Sequence, residues 1–218
     1  MASGTQQAVI TGGTGSLGSA IADGLLAPGW EILAPGRSEL DVCDPVSVGR
    51  YFQQYSPELL VCAAGATKDS LIGGTTEADW DDVFAVNFKG AATCARAVLP
   101  TMIRNRKGHI VFISSHSAVH PPAGQIAYAT AKAALLGLVA DLAFCHGVNN
   151  VRVNAVIPGY LETRMTAAVS SKRRQEVLNA HALGRLNTVN AVAKFIHHLH
   201  HELPHTSGQV FQLDSRMP

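Results

Sequence analysis

The chain has 218 residues, 47% of them hydrophobic and 15% charged, with a formal net charge of +1. That composition excludes a disordered chain, and the near-neutral balance gives no electrostatic footprint for nucleic acid or an acidic membrane surface. No uninterrupted apolar run approaches a membrane-spanning length, and residues 1–7 lack a basic start followed by an apolar stretch, so one soluble cytoplasmic domain spanning 1–218 is expected.

In chain order, Ala8, Val9 and Ile10 form a short apolar run that breaks into TGGTGSLG at 11–18, and a helical pattern follows over 19–26. Residues 31–34 read as a strand and 35–37 as a turn. Asp44 and Pro45 open a helix that reaches residue 55. A buried strand over 59–63 ends at Ala64 and Gly65. A long helical stretch covers 76–105, broken near Val86 and Asn87. A strand over 109–114, a helix over 127–145 and a strand over 151–156 follow, the last ending at Pro158 and Gly159. A tail helix shows an apolar stripe of Val192, Phe195, Ile196 and Leu199. Continuous apolar strands alternating with helices predict an α/β fold, a Rossmann-type doubly wound parallel sheet with helices on both faces.

The four cysteines, Cys43, Cys62, Cys94 and Cys145, form no CxxC pair, which argues against a zinc site or a redox dithiol. Cys62 and Cys145 lie in apolar surroundings, where a cysteine is expected to be a small buried hydrophobe. In the tail helix, His197 and His201 are one turn apart, with His198, His200 and His205 nearby. Nothing but Glu202 could complete a ligand set, so no metal is expected and most of these histidines should face solvent.

Two motifs carry chemistry. Gly13-x-Gly15-x-x-Gly18 follows a strand and opens a helix. Glycines there let the chain turn tightly and approach a pyrophosphate, and the helix N-terminus offers free N–H groups and the positive end of its dipole. The second motif is Tyr128-x-x-x-Lys132, which places both residues on one helix face. An ammonium beside a phenol favours the phenolate, lowering a pKa normally near 10 and suiting the tyrosine to proton transfer.

Together these segments resemble the short-chain dehydrogenase/reductase family over nearly the whole chain, with the nearest likeness to bacterial 3-oxoacyl carrier-protein reductases. TGGTGSLG looks like the cofactor loop, VNFKG carries the family's asparagine at Asn87, IVFISS leads to Ser115, and YATAK supplies Tyr128 and Lys132. The resemblance implies a catalytic set of Tyr128 as general acid/base, Lys132 lowering its pKa and holding the nicotinamide ribose, Ser115 polarising the substrate oxygen, and Asn87 holding a water that links Lys132 to solvent. His116 and Ser117 would lie beside the pocket without catalysing. Cofactor contacts are implied at Gly12, Thr14, Gly15, Ser16, Leu17 and Gly18, at Arg37, Ser38, Asp41 and Val42, and at Ala63, Ala64 and Gly65. They continue at Tyr128, Lys132, Pro158, Gly159 and Thr163, with Ile157 beside the carboxamide.

The chain also departs from the family's pattern. Cys62-Ala63-Ala64-Gly65 stands where many relatives have Asn-Asn-Ala-Gly, and LDSRMP stands where many end in Asp-Gly-Gly. Between Arg37 and Asp41 most relatives insert a helix, and this chain does not. Gly36 holds the place where NAD enzymes carry an acidic residue, and Arg37 follows, so NADP(H) is expected over NAD(H). The expected activity is reduction of a carbonyl, a 3-oxoacyl thioester or related ketone. The alternatives are a sugar-nucleotide reductase or epimerase, suggested by the missing helix, and a non-catalytic NADP(H) sensor. A homotetramer or homodimer is expected through the helices at 87–105 and 127–145. Their small residues are Gly90, Ala91, Ala92 and Ala95 on the first and Ala129, Ala133, Ala134 and Gly137 on the second, with Leu135, Leu138 and Leu142 adding apolar area.

Overall fold

A computed structural model describes residues 5–216. Six parallel strands form one sheet in the order β2-β1-β3-β4-β5-β6. The strands are β1 (Gln6–Thr11), β2 (Trp30–Leu33), β3 (Leu59–Cys62), β4 (Gly108–Ile113), β5 (Val151–Ile157) and β6 (Val210–Gln212). The helices are α1 (Ser16–Gly24), α2 (Pro45–Gln54), α3 (Glu77–Phe84), α4 (Ala91–Asn105), α5 (Ile126–His146), α6 (Ser171–Asn179) and α7 (Val189–His201). The class expected from the sequence is therefore found. The short strand β6 and helix α6 were not anticipated: three residues are too few to show a period, and α6 reads SKRRQEVLN with little apolar content.

Alternation along the strands divides the core in two. Val9, Leu60, Ile110, Phe112 and Val153 face one side, where α2, α4 and α5 contribute Val48, Cys94, Val98, Met102, Leu135 and Val139. Ala8, Ile10, Val61, Val111 and Val156 face the other, where α1 and α7 contribute Ile21, Leu25, Val192, Ile196 and Leu199. Both faces of each central strand are buried, as a parallel sheet requires. Helix starts follow their caps: the Asp44 side chain accepts from the backbone of Val46 and Ser47 with Pro45 next, and Thr76 with Asp79 makes a capping box.

The expected break near Val86 and Asn87 is a wide turn instead. Residues Ala85–Gly90 form a π-helical turn that joins α3 to α4 without interruption. One extra residue in the turn frees backbone groups for other partners, a common device at functional sites.

Helix α5 corrects the sequence reading on another point. Its most apolar window has a mean hydropathy of 1.5, so by length and composition it could span a bilayer. Here it packs along β5 and the segment after β4, with Ala131, Leu135 and Val139 buried. Cys145, near its end, is exposed rather than buried, while Cys62 is buried as expected.

Most of the tail histidines keep exposure, as expected, but His200 is buried and meets the buried His109 of β4. The Asn154 Oδ1 accepts from the Gln209 backbone at 3.0 Å, which turns its amide nitrogen toward His109 Nε2 at 3.1 Å. His109 Nε2 must then accept, and its Nδ1 proton points to His200 Nδ1 at 3.2 Å. The remaining proton, on His200 Nε2, faces Glu58 Oε1 at 4.0 Å. Each ring is thus neutral in a fixed tautomer. Burial, helped by the Arg152 charge, pushes His109 well below its ordinary value. Burial, with His201, Arg152, Lys107 and His197, pushes His200 down to about 3.

Unfolded histidines take up protons near pH 6.5, and these two folded ones do not, so the stability they provide is complete above about pH 6.5 and drains away below it. The urea midpoint is expected to be lower at pH 5.5 than at pH 8, and His200→Gln should shrink that difference. Equal midpoints at the two pH values in the unmodified chain would refute this.

Candidate active site

A cleft of about 590 Å³ opens outside the carboxyl ends of the strands, lined by the loops after β1, β2, β3, β4 and β5. The sheet order reverses between β1 and β3, and a doubly wound fold binds its ligand at that point. A second cavity of about 700 Å³ lies at the opposite end of the sheet, lined by residues such as Gln6, Pro28, Glu58 and Lys107. It contains none of the motif residues.

The glycine-rich loop makes the first wall. Gly12 sits at φ +68°, and a Cβ there would come within 2.8 Å of the Ala64 Cα. A Cβ on Gly18 would lie 2.4 Å from the Gly12 carbonyl oxygen, so α1 can rest on the turn only if that position is bare. Gly15 caps α1 without any side-chain hydrogen bond, and the first turn carries no acidic residue. The open N–H groups there suit a pyrophosphate, so the residues present fit a dinucleotide. The asparagines lost after β3 are replaced by an element the sequence reading missed: the Thr11 hydroxyl accepts from the backbone N–H of both Ala63 and Ala64, each at 3.2 Å.

At the end of β2, the Thr14 methyl fills the space beside Gly36, 2.9 Å from where a Cβ would lie. Arg37 lies at the cleft mouth with its side chain 82% exposed, and its Nε donates to Asp41 Oδ2 at 3.2 Å. The Asp41 carboxyl is held below its ordinary range, chiefly by the Cys43 N–H and then, against a desolvation penalty, by Arg37. Val42 is buried against Gly90, and Ser38 is exposed outside the lining of the cleft. Glu39, which the sequence reading passed over, folds back so that its Oε2 accepts from the Gly36 N–H at 2.9 Å.

The four residues of the expected catalytic set converge. Ser115 and Tyr128 line the cleft with Lys132. A Cβ on Gly65 would lie 3.0 Å from Asn87 Oδ1 and 3.7 Å from Lys132 Nζ, which locates both behind that glycine. The Asn87 amide donates to the carbonyls of Val83 at 2.8 Å and Ala66 at 2.7 Å, so the π-turn fixes its orientation. Lys132 is buried, and its Nζ donates to the Ile113 carbonyl at 2.9 Å. Burial lowers its ammonium to about 8.

Tyr128 differs from the expectation of a lowered pKa. Burial raises the phenol, and a hydrogen bond with Ser115 only partly offsets it. Lys132 Nζ is 5.8 Å from the Tyr128 ring centre and is turned to the Ile113 carbonyl. His116 is lowered to about 4 by burial and the nearby Arg216, which leaves it neutral beside the pocket. A polar rim unseen in the sequence continues past Ser117, whose Oγ donates to Gln125 Oε1 at 2.9 Å, while the Gln125 amide donates to Asp69 at 3.0 Å.

After β5, Pro158, Gly159 and Thr163 line the cleft, and the buried Ile157 does not. The Thr163 N–H donates to Thr166 Oγ1 at 2.9 Å and the Thr166 hydroxyl donates to the Leu161 carbonyl at 2.7 Å, which knits the loop into a compact arch.

This arrangement, a glycine cradle at the switch point with Ser, Tyr and Lys along one wall, defines a class of enzyme. The chain belongs to the short-chain dehydrogenase family, whose model matches residues 38–174, and it is an oxidoreductase acting on alcohol or carbonyl groups. It is similar to the 3-oxoacyl-acyl-carrier-protein reductase FabG of Thermotoga maritima, 38% identical over 77% of this chain and 69% of that protein. It is also similar to the proteins of the same name from Aquifex aeolicus, at 33%, and Salmonella typhimurium, at 30%, each match covering 96% of both chains.

Proposed function

We propose that the chain is an NADPH-dependent carbonyl reductase in which Tyr128 is the general acid. The observation that carries this is the convergence of Ser115, Tyr128 and Lys132 on one wall of the cleft, with Asn87 behind Gly65. The bound reduced nicotinamide supplies the hydride. Ser115 holds the substrate oxygen, and Tyr128 gives it the phenolic proton. Lys132 keeps a positive charge beside the phenol, and Asn87 opens a path from its ammonium to water. The similar proteins act, by name, on 3-oxoacyl groups of acyl carrier protein, so a 3-oxoacyl thioester is the first substrate to try, followed by simple ketones. The free thiols suit a reducing, cytoplasmic setting.

NADPH is favoured at the end of β2. No acidic side chain stands at Gly36, and Arg37 is close enough to the cleft to exchange Asp41 for a 2'-phosphate.

Assembly through α4 and α5 is part of the same reading, with a narrower contact than the sequence implied. Gly90, Ala91, Ala95, Ala129 and Leu135 are buried within the chain and pack on its own core. Ala92, Ala133, Ala134, Gly137, Leu138 and Leu142 keep some exposure, and Phe144 is 88% exposed. An apolar helix surface of this kind favours a two-fold pair.

Tyr128→Phe should lower turnover by about 10² to 10⁴-fold while NADPH still binds. Retention of more than about a tenth of the activity would remove Tyr128 from the reaction. For Arg37→Ala, titration with both cofactors should show NADPH weakened by roughly ten- to a hundredfold and NADH barely changed. Equal losses would mean that Arg37 does not read the 2'-phosphate. Light scattering should give a dimer or tetramer that Ala134→Arg splits; a 23.0 kDa particle for the unmodified chain contradicts the interface.

A further inference from the structure

We propose that Arg164 clamps the cofactor's pyrophosphate, tying the loop after β5 to the bound dinucleotide by charge. Three observations carry it. First, Arg164 crosses the cleft to the glycine-rich loop: its Nη2 donates to the Thr14 carbonyl, 150 positions earlier in the chain, and its backbone N–H donates to Ser16 Oγ at 3.4 Å. Second, the guanidinium has no carboxylate within ion-pairing distance among the described residues, whereas Arg173 and Arg174 in the following helix are paired with Glu176 and Glu162. Third, the surface beneath it is the N-terminus of α1, capped by Gly15 without a side-chain bond. An unpaired guanidinium held over open N–H groups is matched in sign and geometry to two linked phosphates.

The contact to Thr14 keeps the fork in position while the chain is free, and a backbone carbonyl is a weaker partner than a phosphate oxygen. Arg164 is adjacent to Thr163, and the hydrogen bonds among Leu161, Thr163 and Thr166 make the arch move as a unit. Clamping therefore also seats Thr163 along the nicotinamide end of the cleft. Arg164 is a binding residue here and takes no part in proton transfer.

This inference rests on the cleft being a dinucleotide site, and the ligands separate the two claims. Calorimetric titration of Arg164→Ala should weaken NADPH, NADH and ADP-ribose alike, by roughly tenfold or more, and should leave 2'-AMP, which has no pyrophosphate, unchanged. Arg164→Lys should recover part of the ADP-ribose affinity, because the charge remains and the fork does not. The salt dependence of ADP-ribose binding should become shallower in the alanine variant. Melting temperatures compared without ligand confirm that both variants fold. ADP-ribose binding equally well to Arg164→Ala and the unmodified chain would overturn the clamp alone. Failure of the unmodified chain to bind both NADPH and ADP-ribose would overturn the dinucleotide site and the clamp together.

Discussion

Two backbones cross almost in contact where the sheet reverses, and the rest of the site is built outward from that crossing. The turn after β1 passes under the segment after β3 with room for hydrogen only at Gly12. Thr11 fastens the crossing from below by accepting two consecutive N–H groups with one hydroxyl. With that height fixed, α1 starts at the floor of the cleft and presents its N-terminus to it. Gly65, three residues past β3, then allows Asn87 and Lys132 to approach from behind. A side chain at any of these bare positions would move a wall of the cleft, which is why the cradle and the side chains behind Gly65 are one mechanical unit.

The electrostatics of that unit treat its two ionisable side chains differently. Lys132 is buried without a carboxylate beside it and is held by a backbone carbonyl. Its pKa falls to about 8, so it is still mostly charged at neutral pH. The Tyr128 phenol is raised, so it keeps its proton under the same conditions. The ammonium is turned to the Ile113 carbonyl rather than to the phenol, whose ring centre is 5.8 Å away. Burial and the nearby Asp69 charge both raise the phenol, and the hydrogen bond with Ser115 opposes them.

The elements that could be read in the sequence were those with a strong local pattern. Continuous apolar strands, the Asp44-Pro45 helix start and the Gly13-Gly15-Gly18 turn are short-range features, and each lies where expected. Tyr128 and Lys132 were legible through their spacing on one helix face, and Ser115 through the family resemblance, which carries an interval that the loop between β4 and α5 hides from local reasoning. Contacts across the fold had no such signal. Thr11 looks like any strand-end threonine until β3 lies beside it. His109 and His200 are 91 positions apart, and only the packing of α7 over β4 makes them one buried pair. Cys145 misled for the opposite reason: its neighbours in sequence are apolar, but on α5 they point to the outer surface. Arg164 was unreadable because its partner, the Thr14 carbonyl, is a backbone atom of a loop at the other end of the chain.

The short connection after β2 brings an arginine and an acid together at the mouth of the cleft. With no helix between Arg37 and Asp41, the two side chains fall one helical turn apart and pair in solvent. An exposed pair of this kind is worth about 0–1 kcal/mol, and a charge-assisted contact to phosphate about 1.5–3 kcal/mol, so a phosphate placed here would draw Arg37 away from Asp41. Asp41 is not stranded by the exchange. Its Oδ1 still accepts from the Cys43 N–H at 3.0 Å, its own N–H still donates to Ser47, and its carboxylate remains in water. Glu39, the remaining acid of the segment, is folded onto the Gly36 N–H and lies outside the cleft lining. Local backbone hydrogen bonds thus occupy the acidic side chains of this segment and leave Arg37 as its exposed charge.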